Sequence, residues 1–505
     1  MMGRKDRQDS LFVYNVNLDK RVRSDHPLRR VNEAVDFSFV RDEVSGFYGI
    51  KGNESVDPEV IMRMMFLLFF DNVPSERKLM RIIPERLDYM WFLGYGLDDD
   101  IPDHSVLSKA RKRWGPDVFE SLFVRTVLQC VEAGLVDGGK LHFDGSLIDA
   151  NAGNDSVIKG PPELVAQLRA AFRQEEYKLD DRGGDDEDSG SDDGGGAGGV
   201  QKRSYQKKNK GLVSSTDPDA EVSSKKGVLP RLRYKNHRAV DDAHGVITAV
   251  STTPGSVEEN SELFNLIGLS EQNTGIPVHT AVADAQYGTI DNFRECGKRG
   301  IKSHMADLSE THKNTGRKSG IFEESAFVYD ADKDIYTCPA GNTMKRRRHK
   351  KDRKAYEYAL SPKVCNACEL KPKCTRSRYG RSVKRHQDHE LIEAARTESK
   401  SGAAKRDRAR RKHIAEGSFA DAKNNHGFKR SRWRRLWRQR IQDLFIAAIQ
   451  NIRILLAKGS FKPAAEAEKV CPGPTFCGLF NWFSMLGAPN LQQVTSRTIL
   501  ALQAL

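Results

Sequence analysis

Residues 231–255 read RLRYKNHRAVDDAHGVITAVSTTPG, and the choice of fold class turns on them. Two alternating runs, 231–242 and 245–255, flank Asp-Ala-His-Gly, the pattern of two antiparallel strands joined by a tight turn. Downstream, NSELFNLIGLS (260–270) has helical spacing, and IPVHTAVAD (276–284) is an apolar strand that ends in an acid. TIDNFRECGKRG (289–300) is a helix closed by glycine, and IKSHMAD (301–307) is a further strand. Upstream, residues 141–150 of LHFDGSLIDANA form a strand that carries Asp144. Hairpin strands followed by strands alternating with helices predict an α/β (α+β) fold, a mixed sheet with helices on its faces.

The chain has 505 residues, enough for two or three domains. Its 82 Lys and Arg against 69 Asp and Glu leave a formal charge of +13, which favours a polyanionic partner. The apolar run IMRMMFLLFF (61–70) contains Arg63 and is too short to span a bilayer, so no membrane role is expected. The polar start MMGRKDRQDS is unlike a signal peptide. Eight cysteines in so long a chain make no disulfide framework, which points to a reducing cytoplasm.

Residues 1–56 read as an irregular charged lead-in and 57–138 as a helical domain. Within the latter, HSVLSKARKRW (104–114) forms a helix that Asp103 can cap. Lys109, Arg111, Lys112 and Arg113 on it suit a DNA-contacting helix-turn-helix or equally a solvated face of a structural bundle. Residues 155–225 are expected to be disordered, with DDRGGDDEDSGSDDGGGAGG (180–199) too poor in apolar residues to bury a core. Periodicity fades again over 308–405, a basic, cysteine-containing insertion. HIAEGSFADAKNN (413–425) and RIQDLFIAAIQNIRILLA (440–457) are helices, the second with a core stripe from Ile441 to Leu456. The tail 458–505 has no clear pattern.

Two strands present an acid at or just past an apolar run: Asp144 and Asp284. Neighbouring strands lie about 5 Å apart, so residues distant in sequence can converge on one sheet edge. Carboxylates are the hard oxygen ligands that Mg²⁺ prefers, and paired divalent cations stabilise both oxygens exchanged in a phosphodiester displacement. Two acids hold such cations poorly, so a third is expected. On the 413–425 helix, Glu416 and Lys423 differ by about 20° and share a face, whereas Asp421 lies about 140° from Glu416. Glu416 is therefore preferred, with Lys423 as its phosphate-binding companion. Asp149, Asp241, Asp242 and Asp307 are second choices, Asp241 and Asp242 shaping the hairpin turn. For each strand-end acid the structural role competes with the catalytic one.

Taken in order, IPDHSVLSKARKRW, LHFDGSLIDANA, STDPDA, YKNHRAVDDAHGVIT, VADAQYG, the CPAG and CNAC region and AEGSFADAKNNHGFKR resemble the DDE transposases of prokaryotic insertion sequences. The matching pieces are scattered over residues 25–455. The resemblance implies an RNase H-like catalytic core over 139–457, preceded by the helical domain and interrupted by the two insertions. It assigns Asp144, Asp284 and Glu416 as the catalytic, metal-binding acids. It also implies Mg²⁺ or Mn²⁺ as cofactor, double-stranded DNA (transposon ends and target) as partner, a homodimer in the DNA complex, and a cytoplasmic, nucleoid-associated location. The family's last motif runs Tyr, Arg, Glu, Lys. Here Glu416 and Lys423 fit it, while Ala409 and Lys412 stand at the Tyr and Arg positions, with Arg410 and Arg411 adjacent. Lys412, Arg411, Lys423 and Arg430 are the expected phosphate contacts. A nuclease of the same fold without strand transfer, and an inactive or domesticated DNA-binding protein, are the alternatives.

Cys338, Cys365, Cys368 and Cys374 fall in one segment with a C-x2-C core, a spacing that permits a structural Zn²⁺ site where a region is too small for its own core, or else free thiols. KRRRHKKDRK (345–354), KRDRARRK (405–412) and KRSRWRRLWRQR (429–440) are the densest basic runs. In the last, Trp433 and Trp437 interleave with arginines, which suits phosphate contact plus packing or stacking.

Overall fold

The computed structural model describes residues 16–49, 55–178, 212–223, 229–308, 320–350 and 354–459. The acidic stretch 180–199 and all of the tail beyond 459 lie outside them. Among the described residues the strands are β1 (Lys140–Asp149), β2 (Val157–Lys159), β3 (Leu212–Ser214), β4 (Glu221–Ser223), β5 (Arg231–Asp241), β6 (Ile247–Pro254), β7 (Thr280–Val282), β8 (Lys302–His304), β9 (Val328–Asp330), β10 (Ile335–Thr337), β11 (Thr343–Lys350), β12 (Ala355–Ala359) and β13 (Ser382–His386).

The predicted hairpin is β5–β6, turning at Gly245 with φ 78°, a left-handed conformation that glycine adopts without strain. β5 also pairs antiparallel with β1, while β7 lies parallel to the far edge of β1 and β8 parallel to β7. The main path is thus β6-β5-β1-β7-β8, mixed as expected. Arg233 pairs with Asp149 on one side and Glu221 on the other, so β4 extends the edge that β6 occupies. β5 is buried along nearly its whole length, as a strand with sheet on both edges and layers on both faces must be.

One face of this sheet packs its Leu141, Phe143, Ala239 and Ala249 against the Leu263–Thr274 and Ile290–Arg299 helices. The other meets the Gly402–Asn425 and Leu436–Lys458 helices through Ile148, Val240, Val250, Phe419 and Phe445. The Leu436–Lys458 helix carries the predicted stripe and is buried on more than that stripe, Gln439, Gln442, Asp443 and Asn451 included.

Four expectations need correction. The lead-in is helical from Leu18, with Leu18–Arg21, Pro27–Ala34 and Phe39–Val44 formed; Leu28, Val31, Phe37 and Val40 are buried in the large core. The helical region is not a core apart. The Pro58–Phe70 helix, started by the Asp57 cap on Glu59 N, is apolar but for Glu59 and Arg63 and buries Phe66 and Phe69 in the same cluster as Phe445 and Phe419. The 155–225 segment is ordered in part: β2 pairs with β3, Pro162–Lys178 is helical, and Tyr234 donates 2.7 Å to buried Asp217. The 308–405 region builds a five-stranded antiparallel meander, β9 to β13, around Phe327, Tyr336, Met344, Tyr358 and Val383. That small core of its own went unseen because β11, the TMKRRRHK run, leaves most of its side chains exposed, and charge masks a period of two.

Candidate active site

Asp144 sits in the middle of β1, opposite Arg238 of β5. Its side chain is 15% exposed, and burial pushes its carboxyl up to about 6. Arg411 opposes that rise, while the negative charges of Glu259 and Asp284 add to it. Asp284 follows β7 by two residues, where the strand gives way to a turn, and its Oδ1 accepts the Gln286 N–H at 2.8 Å. Gly288 allows this turn: a Cβ there would stand 1.9 Å from the Ala306 carbonyl oxygen.

The third expected acid comes from the Gly402–Asn425 helix. Ala404, Asp407, Arg411, Ala415, Phe419 and Ala422 form its buried stripe, and Glu416 flanks it, 48% exposed. Arg411 joins the two acids: Nη1 lies 3.1 Å from Asp144 Oδ1 and Nη2 donates to Glu416 Oε1 at 2.9 Å. Expected at a DNA phosphate, Arg411 is instead buried between carboxylates. Lys412 and Arg430 are exposed on the surface, Lys423 half-buried. Arg430 lies beside the end of β1, bridged to Asp149 and 3.5 Å from Asn151 Oδ1.

The helix is held on the sheet by Arg238, which is fully buried. Its Nε donates to Asn236 Oδ1 at 2.9 Å, its Nη1 to Gln450 Oε1 at 2.9 Å and to Ser418 Oγ at 3.3 Å, and its guanidinium stacks 4.4 Å over Phe419. Burial lowers its pKa to about 10. Nothing in YKNHRAVDD separates this arginine from its basic neighbours; only the strand register reveals it.

The second-choice acids have structural partners. Asp149 pairs with Arg231 and Arg233, and Asp307 with Arg396 at 2.7 Å. Asp241 accepts from Gly138 and Ala243 N–H and shapes the turn as expected. Asp242 binds His142 and Arg410, each at 2.7 Å. Asp421 accepts from Asn425 and Gln450.

One expectation about the basic runs also changes. Asp103 does accept the Ser105 N–H, but Arg111 on the following helix is buried, ion-paired with Glu76 and stacked 4.0 Å over Trp433. Trp433 in turn meets Phe69 edge-on at 5.6 Å, so it packs into the core. Lys109 and Arg113 remain at the surface.

Cys338, Cys365, Cys368 and Cys374 line one pocket at the base of the meander. Burial raises the Cys374 thiol, and the other three thiols push it the same way. Gly380, φ 83°, fits against Cys365, whose Sγ would lie 2.8 Å from a Cβ there.

As placed, no three His, Cys, Asp or Glu side chains among the described residues could hold an ion. The donor chemistry nonetheless suits divalent cations: the charges of the Glu259 and Asp284 carboxylates act on Asp144, whose own carboxyl is raised chiefly by burial. Glu416 is exposed and held by Arg411, and Asp284 is partly exposed and accepts from the Gln286 N–H. No described helix is long and apolar enough to cross a membrane.

Residues 16–113 match the family model of a transposase domain (DUF772), and residues 337–456 match that of a transposase DDE domain. The second match takes in Glu416 and Lys423, and its RNase H-like fold agrees with the mixed sheet. No curated protein matches the chain.

Proposed function

Because the chain is a DDE transposase of the insertion-sequence kind, we propose that it cuts DNA at the ends of its element and joins them to target DNA, using Asp144, Asp284 and Glu416. The observation that carries this reading is the meeting of strand and helix acids at Arg411, with Asp144 buried and its carboxyl raised beside Asp284. The three acids would hold Mg²⁺ or Mn²⁺, which when bound supplies the charge that stabilises the oxygens exchanged in phosphoryl transfer.

The chain's own residues bind and orient. Lys412 and Arg430, exposed at the surface, suit phosphate contacts along double-stranded DNA; Lys423 suits a phosphate on the Glu416 face. Arg411 keeps Asp144 and Glu416 in register, and Arg238 anchors the helix that carries Glu416. A water attacks the phosphodiester at the element's end, and its proton passes to solvent as the 3′-oxygen departs to become a hydroxyl. That hydroxyl then attacks target DNA, so one phosphodiester forms as another breaks. Cys338, Cys365, Cys368 and Cys374, which line one pocket, have the ligand chemistry of a structural Zn²⁺ site once drawn together. Two ends must be brought together, so a dimer on DNA follows.

Product analysis tests this reading. Full-length protein, Mg²⁺ and labelled DNA from the gene's flanks should give 3′-hydroxyl ends at a repeat boundary and then joined strands. Cuts without joining would make the protein a nuclease, and binding without cuts an inactive DNA-binding protein.

A further inference from the structure

The signal lies beside Asp144 in the 3₁₀ turn Glu259–Glu262, which follows β6 and leads into the Leu263–Thr274 helix. Glu259 is 23% exposed, and its charge acts on both Asp144 and the Tyr287 hydroxyl. It reaches the site over Gly145, the residue next to Asp144. A Cβ at 145 would stand 2.8 Å from Glu259 Cδ and 2.9 Å from Cγ, so the bare backbone of FDGS is what admits the carboxylate. Lys235 stands 3.5 Å from Glu259 Oε1, but the same ammonium donates at 2.7 Å to the Val257 carbonyl, so its charge is shared.

A second observation points to a ligand. Tyr287, of VADAQYG, is fully buried, and its hydroxyl has no hydrogen-bond partner among the described residues. Glu259, Asp144 and Asp284 all act on that hydroxyl. An unpaired buried donor forfeits its hydration without compensation, and a donor among three acids is satisfied when one of their oxygens turns to it. Drawing the acids onto a cation would do this.

We propose that Glu259 is a fourth carboxylate of the metal site, admitted by Gly145, and that the Tyr287 hydroxyl is a positioning group for the acid cluster. This rests on the reading of Asp144 as a metal ligand. The Lys235 ion pair alone accounts neither for a glycine under Glu259 nor for the tyrosine.

Mn²⁺ titration of the full-length protein, followed by the electron paramagnetic resonance signal of free Mn²⁺, tests it without any activity readout. Asp144→Asn should abolish tight binding. Glu259→Gln should weaken it roughly tenfold or more, with Glu259→Asp recovering part of the loss and Tyr287→Phe losing a smaller factor. Gly145→Ala, which displaces Glu259 while keeping its charge, should behave like Glu259→Gln. If Asp144→Asn loses Mn²⁺ while Glu259→Gln binds as wild type does, the proposal is wrong and the underlying reading stands. If Asp144→Asn binds as wild type does, the underlying reading falls and takes the proposal with it. Should Glu259→Gln fail to fold, wild-type affinity in Gly145→Ala overturns the proposal by itself.

Discussion

Replacing Arg238 with methionine removes a buried charge of similar length and isolates what holds the Glu416 helix on the sheet. The guanidinium donates to Asn236, Gln450 and Ser418 and stacks over Phe419 and Phe428. Hydrogen bonds from a charged donor contribute about 1.5–3 kcal/mol each, and a desolvated cation–π contact about 2 kcal/mol. Against these stands the cost of desolvating an arginine, already visible as a pKa lowered to about 10. Asp443, fully buried with its carboxyl pushed up to about 6, tempers the loss because it stays neutral more readily than an ordinary carboxyl. A net destabilisation of about 3 kcal/mol is expected, at the lower end of the about 3–5 kcal/mol seen when one partner of a buried pair is removed. Urea unfolding followed by tryptophan fluorescence measures it, since Trp433 and Trp437 report on the junction at the base of that layer. The double variant Arg238→Met with Asp443→Asn should lose less than the two single losses added together. A methionine variant as stable as wild type would show that apolar packing alone registers the helix.

Other outcomes follow from the same geometry. His237 is buried, and burial lowers its pKa to about 3. Its folded value lies below its unfolded one, so its contribution is present above about pH 6.5 and lost as pH falls; about 2 kcal/mol should go between pH 7 and 5. His237→Gln should flatten that part of a pH series of urea midpoints, and an unchanged slope would refute the assignment. Gly288→Ala should displace the Asp284 turn, because the Ala306 carbonyl leaves no room for a Cβ; DNA cleavage should fall sharply, and wild-type rates would show the turn to be unimportant. Purified protein should carry zinc that Cys365→Ser or Cys368→Ser releases, with the meander losing protease resistance; metal-free wild type of equal resistance would dispose of the zinc site.

Much of the fold was legible because its signals are local. The hairpin at 231–255 and the β7 and β8 regions each announce themselves by alternation, and the Ile290–Arg299 helix by its Thr289 cap and its Gly300 with φ 68°. The meander was not legible, since its strands are short or highly charged, and the order before residue 57 was lost under polar composition. At the site, Asp144 and Asp284 could be nominated by position, each at or just past an apolar run. Arg411 could not be placed, because burial between two carboxylates is a property of the helix's seating on β1. Glu259 left one trace, the glycine after Asp144, which gains meaning only once the neighbouring turn is seen against it.

The central claim is that Asp144 and Asp284 serve the chemistry and not the binding of DNA. Asp144→Asn and Asp284→Asn should each bind labelled end DNA as wild type does in a gel-shift assay and yield no 3′-hydroxyl cut in Mg²⁺ or Mn²⁺. Cutting that persists in either variant, with DNA bound, would contradict the account.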